Sequence, residues 1–250
     1  MRNFTLFITL IISIWGCGSG IYAPGSKRIY TPHEEKQIIT SGGTFMSPSF
    51  IAVEGDVSYS PAKHLGVQTF FDLSQKYQSI GLGIGYYRSK YMWQDDYLKR
   101  GFHFDGYLGY GIFKAEREPN EAGSFFAENY GYKTKFQDIS LNLGLHFTYL
   151  YFGADLYFKP HIVDLYEVRL SGDFNSVIFD EYTELASNPF LVYDIGLQLC
   201  IGNHDIRLYG GMNLSMLKER LNFGHIDPLS LSAGLNINIE NVMNGTFRFL

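Results

Sequence analysis

The chain has 250 residues and a formal net charge of −5; 46% of its residues are hydrophobic, 17% aromatic and 18% charged. This hydrophobic content excludes a disordered chain, and the charged fraction lies below the roughly 25% that is usual for soluble domains. The negative net charge and the absence of a basic stretch argue against nucleic acid as a partner.

Residues 1–16 are predicted to be a signal peptide. Arg2 supplies one positive charge, and an apolar stretch follows at 4–15. A transmembrane helix needs about 20 residues, so the stretch is too short to span a bilayer, but it suits the hydrophobic region of an export signal.

The end of the apolar stretch resembles the lipobox of bacterial lipoproteins. Ile14, Gly16 and Cys17 match its aliphatic, small and lipidated positions. The resemblance implies lipid attachment at Cys17, whereas an ordinary secretory signal would be cleaved after Ala23. Residues 17–36 are rich in Gly, Ser and Pro and are predicted to form a lipidated periplasmic tether.

The second cysteine of the chain, Cys200, has no intramolecular partner if Cys17 carries lipid. No disulfide framework is then available. We expect Cys200 to be a small packing residue in a strand.

From residue 37 onward the sequence alternates between apolar and polar residues. Between Ile139 and Phe147, for example, five apolar residues alternate with Ser140, Asn142, Gly144 and His146. A period of two over about 9–11 residues is typical of transmembrane β-strands, with apolar side chains outward and polar ones inward. Ten such segments are predicted, near 37–46, 50–60, 64–73, 78–89, 101–115, 133–147, 150–169, 189–201, 205–217 and 228–240.

Residues 37–250 are therefore predicted to form one all-β, antiparallel, up-and-down transmembrane barrel. We expect about ten strands, with eight as the alternative count. A soluble lipocalin-like barrel is the alternative fold, and it would need no detergent to stay in solution.

Apart from 90–100, the longest connections between the predicted segments are 116–132, 170–188 and 218–227, and all three follow odd-numbered segments. With the N-terminus in the periplasm, the periplasmic connections are short, except for 90–100. The long connections lie outside the cell, as is usual for outer-membrane barrels. Aromatic residues near strand ends are expected to form interfacial girdles: Tyr86, Tyr87, Tyr91, Trp93, Tyr149 and Tyr151.

The run at 52–67 is similar to the first hairpin of a family of uncharacterised bacterial lipoprotein barrels, with a Tyr-Ser-Pro-x-x-His-Leu-Gly turn. Together with the lipobox and the alternation, it makes the chain resemble a small outer-membrane β-barrel lipoprotein of a Gram-negative bacterium. That family implies no known activity.

The predicted inward face carries carboxylates together with basic and histidine side chains, which are groups that bind metal ions or transfer protons. No His-Glu-x-x-His, Gly-x-Ser-x-Gly or paired-cysteine motif occurs. We therefore expect a packed polar lumen, with no catalytic residue, no metal site and no cofactor. The lumen residues are Glu54, Asp56, Asp72, Asp105, Asp155 and Asp194, with His103, His146, Lys159 and Arg207 as partners.

The predicted external loops 116–132 and 170–188 are acidic and also carry apolar residues. Such groups can pack as a lid or dock on a partner.

The sequence thus favours a lipid-anchored, non-enzymatic barrel that is a structural or accessory subunit of an outer-membrane protein complex. Its partners would be outer-membrane lipid and other membrane proteins, contacted through the barrel wall or these loops. The alternatives are a barrel that binds a small ligand or ion through its lumen or loops and, less favoured, an outer-membrane hydrolase.

Overall fold

The computed structural model describes residues 32, 34–47, 51–94, 97–117, 130–172, 188–202, 205–217 and 229–239. Ten strands account for almost all of them. Their bounds are β1 Ile38–Met46, β2 Ile51–Ala62, β3 Leu65–Leu73, β4 Tyr77–Gln94, β5 Tyr97–Arg117, β6 Tyr130–Tyr149, β7 Phe152–Gly172, β8 Phe190–Gly202, β9 Ile206–Leu217 and β10 Leu229–Asn238.

Every strand pairs antiparallel with its neighbours in sequence, and β1 pairs with β10 to close the barrel. The prediction of a single antiparallel up-and-down barrel is confirmed, and the strand number is ten rather than eight. Among the described residues, no helix is long and apolar enough to cross a membrane.

The seam between β1 and β10 depends on two glycines that face each other, Gly43 and Gly234. The Tyr209 ring lies against both: a Cβ on Gly43 would come within 2.4 Å of the Tyr209 hydroxyl and 2.3 Å of the Ala233 carbonyl oxygen. The absence of side chains at this pair lets the two strands and the Tyr209 ring approach closely.

One end of the barrel, called the turn end here, carries the short connections that follow β2, β4, β6 and β8. His64 turns β2 into β3 and Leu150 turns β6 into β7, both with left-handed φ angles, of 68° and 53°. The prediction of a long connection at 90–100 is wrong. β4 continues to Gln94 and β5 begins at Tyr97, because the two strands stay paired through this stretch with one register shift after Met92.

The opposite end of the barrel, called the loop end, is filled by apolar side chains. Phe113 stacks on Phe136 with ring centroids 4.8 Å apart, and Phe45 meets Tyr77 edge to face at 5.6 Å. Val163, Leu165 and Phe190 complete the cluster. The lumen is therefore mainly apolar at the loop end and mainly polar in its middle and at the turn end, so the expectation of a packed polar lumen is correct for only part of its length.

The outer wall is an apolar belt. On β6 the outward side chains between Ile139 and Phe147 are all Ile, Leu or Phe, and the outward positions of β5 from Phe102 to Ile112 and of β7 from Phe152 to Ile162 are uncharged as well. Within the described parts of β1–β3 and β8–β10, no outward strand residue is charged. On β4 the outward positions are uncharged from Gln78 to Tyr86, and the outward Arg88 and Lys90 lie opposite Phe104 and Phe102 of β5, so the belt is interrupted there near the turn end.

The predicted aromatic girdle is partly correct. Tyr86, Tyr149 and Tyr151 are exposed on the outer wall. Tyr87 instead points inward and is buried, because alternation along β4 places it on the opposite face from Tyr86.

Candidate functional site

All ten predicted lumen residues face the interior. Nine are buried, and the Lys159 side chain is only 16% exposed. They do not form one site but separate networks, each built across neighbouring strands.

The first network centres on His161 of β7. Its Nδ1 lies 3.1 Å from Asp138 Oδ2 on β6, and its Nε2 lies 3.1 Å from Asp194 Oδ2 on β8. Both ring nitrogens therefore face a carboxylate oxygen, and the contact between Nδ1 and Asp138 is a hydrogen bond. Lys159 Nζ adds a positive charge 3.7 Å from Asp138.

The second network centres on His146 of β6, near the turn end. Arg207 Nη1 donates to His146 Nε2 at 3.0 Å, and Thr148 Oγ1 lies 2.5 Å from the same nitrogen. Because an arginine only donates, Nε2 is an acceptor, and the proton on Nδ1 bonds Asp155 Oδ1 at 2.6 Å. The thiol of the buried Cys200 lies nearby. One potential ligand atom from each of His146, Asp155 and Cys200 lies within 4.8 Å of the other two, which is close enough for the three to bind a metal ion. Arg207 already supplies the positive charge that a metal would bring.

The third network also lies near the turn end. Ser89 Oγ is 2.7 Å from His103 Nδ1, and His103 Nε2 is 3.1 Å from Asp105 Oδ2. A hydroxyl, an imidazole and a carboxylate in this order resemble a catalytic triad of nucleophile, general base and orienting carboxylate. The imidazole is fully buried, however, and the Tyr87 ring stacks on it at 5.8 Å. The network is therefore a packed polar contact between β4 and β5.

The fourth group consists of three carboxylates on adjacent strands β2 and β3. Tyr209 Oη donates to Glu54 Oε1 at 2.7 Å, Ser79 Oγ donates to Asp72 Oδ2 at 2.5 Å, and Ser41 donates to Asp56. The three carboxylates line a cavity of about 40 Å³. Each of them accepts a hydrogen bond from a hydroxyl group on another strand.

Negative charge dominates the lumen. Within the described strands, seven buried carboxylates face inward: Glu54, Asp56, Asp72, Asp105, Asp138, Asp155 and Asp194. Among the permanent cations of the described interior, Lys159 contacts Asp138 and Arg207 donates to His146. The histidines can offset only part of this difference.

Asp138, His161 and Tyr209 are among the residues of these networks that were not predicted from the sequence. The signal was present, since Asp138 precedes the outward Ile139 and His161 precedes the outward Ile162. Alternation alone assigns both to the lumen. Their mutual contact depends on the pairing register between β6 and β7.

Other predicted features lie outside the described residues. They are the signal peptide, Cys17 and most of the tether. The loop predicted at 116–132 begins inside β5 and ends inside β6, and the loop predicted at 170–188 begins inside β7 and ends before β8. Their central parts, 118–129 and 173–187, are likewise outside the described residues.

No protein-family model and no curated protein matches the chain. Among solved structures, the chain is similar to the translocator domain of the autotransporter NalP from Neisseria meningitidis, with 9% identity, a TM-score of 0.28, and coverage of 81% of this chain and 86% of that one. It is also similar to CarO from Acinetobacter baumannii, with 8% identity, a TM-score of 0.24, and coverage of 82% and 98%.

Proposed function

We propose that the chain is a lipid-anchored barrel of a bacterial outer membrane that acts, without catalysis, as a structural or accessory subunit of a membrane protein complex. In this arrangement the turn end faces the periplasm and the loop end faces outward. Cys17 carries the lipid, and the tether 17–36 joins it to β1.

The apolar belt is the observation that carries the membrane assignment. Its uncharged outward stretches on β5, β6 and β7 are 9 to 11 residues long, which is the length that a tilted strand needs to cross the hydrocarbon core. Ile80 and Leu82 expose 61% and 63% of their surface. A lipocalin-like barrel turns such side chains inward, so a water-soluble fold would leave this belt unexplained.

Charged pairs mark the edge of the belt at the loop end. On the outer wall Lys135 Nζ lies 2.5 Å from Glu167 Oε2, and Lys133 Nζ lies 3.0 Å from Glu116 Oε2. These pairs lie beyond the belt. The hydrogen bond from Lys133 lowers the pKa of Glu116, and the hydrogen bond from Lys135 lowers the pKa of Glu167.

The accessory role is supported by the filled lumen. Apolar side chains occupy the loop end, and ion-paired networks occupy much of the rest of the described interior. Barrels need about 16–18 strands for a wide aqueous channel. A ten-strand barrel with this filling offers its wall and loops, rather than a pore, to other molecules.

Site-specific photo-crosslinking in cells tests the accessory role. A photoreactive side chain is placed at one outward belt position per strand: Ile80 on β4, Leu141 on β6, Ile195 on β8 and Leu208 on β9. We expect adducts to one protein from neighbouring strands only, and the same protein should co-purify in mild detergent. The inward position Asn213 is the control. Adducts to lipid alone at every position would contradict the proposal.

A further inference from the structure

We propose that a basic patch on the outer wall, at the turn end of β4 and β5, binds the headgroup of an anionic phospholipid in the periplasmic leaflet. The patch consists of the outward, exposed side chains of Arg88 and Lys90 on β4 and Arg100 on β5. The inference rests on the membrane placement and orientation proposed above, but it does not depend on the accessory role.

A step in the height of the wall opens one side of the patch. β3 begins at Leu65, which pairs with Tyr86 of β4. β4 continues past this pair to Gln94 and stays paired with β5 on its other side. Arg88 and Lys90 therefore lie beyond the beginning of β3, where the described sheet has no strand beside β4 on that side.

The turn between β2 and β3 fixes the base of the step. Tyr87 N donates to His64 O at 3.0 Å, and His64 Nδ1 donates to the Tyr87 carbonyl oxygen at 3.0 Å. The imidazole also lies against the Tyr86 ring, with centroids 5.5 Å apart. The step is thus a defined feature of the wall, next to the outward Arg88.

The positive charge of the patch has no described counter-charge on these strands. The outward carboxylates described on β4 to β7 are Glu116, Asp164 and Glu167, and all three lie toward the loop end. Lysines there pair with Glu116 and Glu167. Within the described residues, neither Arg88 nor Lys90 forms an ion pair. Residues 95–96, in the connection between β4 and β5, lie outside the described residues.

The patch lies at the edge of the apolar belt. Arg88 is directly across from Phe104 of β5, and both phenyl groups of this part of β5 are exposed on the outer wall. Lys90 is directly across from the second of them, Phe102. A cation beside hydrocarbon is costly, and long basic side chains reach the headgroup layer to avoid that cost. The anion in that layer is the lipid phosphate.

The three cations are placed to converge on one headgroup. Arg88 and Lys90 are two residues apart on one face, which is about 6–7 Å along a strand. Arg100 pairs with Met92, the next outward residue of β4, and its Nε donates to Met92 Sδ at 2.9 Å, so the Arg100 side chain extends toward β4. A guanidinium matches two phosphate oxygens in a bidentate pair, and a lysine adds a compact charge.

The excess of positive charge selects an anionic lipid. The quaternary ammonium of phosphatidylcholine offsets its phosphate and would be repelled by the patch, whereas phosphatidylglycerol has a net negative charge and carries no cation. Clusters of Lys and Arg next to a membrane recognise anionic headgroups for this reason. Because the turn end faces the periplasm in the proposed orientation, the ligand is a phospholipid rather than lipopolysaccharide.

Native mass spectrometry of the purified, full-length barrel in non-ionic detergent tests the patch. The barrel is titrated with phosphatidylglycerol or with phosphatidylcholine of the same acyl chains. We expect a saturable phosphatidylglycerol adduct, with half-saturation at a concentration about fivefold or more below that for phosphatidylcholine. Each Lys or Arg beside an anionic lipid surface strengthens binding about fivefold, so Arg88→Gln combined with Lys90→Gln should raise the half-saturating concentration at least about tenfold. Each single variant should show a smaller loss in the same direction.

Lys133→Gln combined with Lys135→Gln is the matched control, because it also removes two outward positive charges but at the loop end, where both are paired. It should bind phosphatidylglycerol as the native chain does. Each variant is first checked for the folded, heat-modifiable form on gels.

Three results would overturn the proposal: equal affinity of the native chain for the two phospholipids, equal weakening by both double variants, or displacement of the lipid by millimolar inorganic phosphate. Tighter binding of lipopolysaccharide than of phosphatidylglycerol would overturn it as well. The membrane assignment fails separately, if the native barrel is absent from the membrane fraction of cells.

Discussion

At the scale of single residues, the side of the barrel wall on which a side chain lies decides which substitutions are tolerated. Asn142 and Leu143 are neighbours on β6, yet Asn142 lines the acidic cavity while Leu143 packs outside over Gly106. Because local strand propensity and depth are nearly the same at both positions, they isolate the effect of the two sides of the wall.

Leu143→Arg should destabilise the barrel more than Asn142→Arg. An Arg or Lys near the midplane of the lipid-facing wall costs about 2–4 kcal/mol, whereas Asn142→Arg places a positive charge beside Glu54, Asp56 and Asp72. Urea unfolding of the reconstituted barrel measures the difference. If Asn142→Arg proved the more damaging change, the barrel wall would not face lipid at this strand.

A comparison of Gly43 with Gly42 tests the effect of added side-chain volume rather than of charge. Gly43→Ala places a methyl group 2.3 Å from a backbone oxygen of β10, whereas Gly42→Ala meets its nearest atom at 3.9 Å. Overpacking typically costs about 1–3 kcal/mol, so Gly43→Ala should lower the urea midpoint and the yield of closed barrel. Gly42→Ala is the control and should leave both nearly unchanged. Equal effects at the two positions would show that the seam is not tightly packed.

At the scale of elements, alternation in the sequence was sufficient to locate all ten strands. The predicted segments 101–115 and 133–147 lie inside the observed β5 and β6, and the difference is at the ends, where the strands continue. The continuation of β4 past Ser89 was not predicted, because Tyr91 and Trp93 were interpreted as girdle residues next to a loop. Pairing with β5 keeps both residues in the sheet.

The interior at the loop end could not be predicted, for a physical reason. Ile112 faces outward and Phe113 faces inward, so both faces of β5 are apolar at this end. Because apolar and polar residues no longer alternate there, the sequence pattern cannot assign residues to the two faces. The polar networks were predicted as a set of inward residues. Their division into separate contacts follows from the strand register, as in the pairing of His146 with Asp155.

The connections between strands predict labelling by a membrane-impermeant thiol reagent. In the proposed orientation, cysteines introduced at Asn120 or Ser176, in the long connections, should react in intact cells. A cysteine at Asn203, between β8 and β9, should react only after the outer membrane is opened. The native chain is the control, since Cys200 is buried. Equal reaction of all three in intact cells would rule out this orientation.

At the scale of the whole molecule, two signals would hold the protein in the membrane: the apolar belt of the barrel and the lipid at Cys17. The belt alone is sufficient for insertion if the outward strand faces meet hydrocarbon as proposed. The lipid then adds a second attachment beside the periplasmic turn end, where β1 begins at Ile38.

Cys17→Ser should therefore abolish incorporation of labelled fatty acid without removing the barrel from the membrane fraction. The mature native chain should begin at Cys17 and carry the mass of its lipid, which intact-protein mass spectrometry measures. An unlipidated N-terminus after Ala23 would show that the signal is an ordinary secretory one.

The apolar cluster at the loop end has a consequence for how the barrel enters the bilayer. If that end crosses the hydrocarbon first in the proposed orientation, before the sheet has closed, its concave face meets lipid. A charge at the midplane would then cost about 2–4 kcal/mol, whereas Phe113, Phe136 and Leu165 are compatible with lipid on either side. On this pathway the charged networks would follow as the strands close around them. Phe113→Asp should thus slow insertion into preformed vesicles more than Asn213→Asp, and equal rates would show that closure precedes crossing.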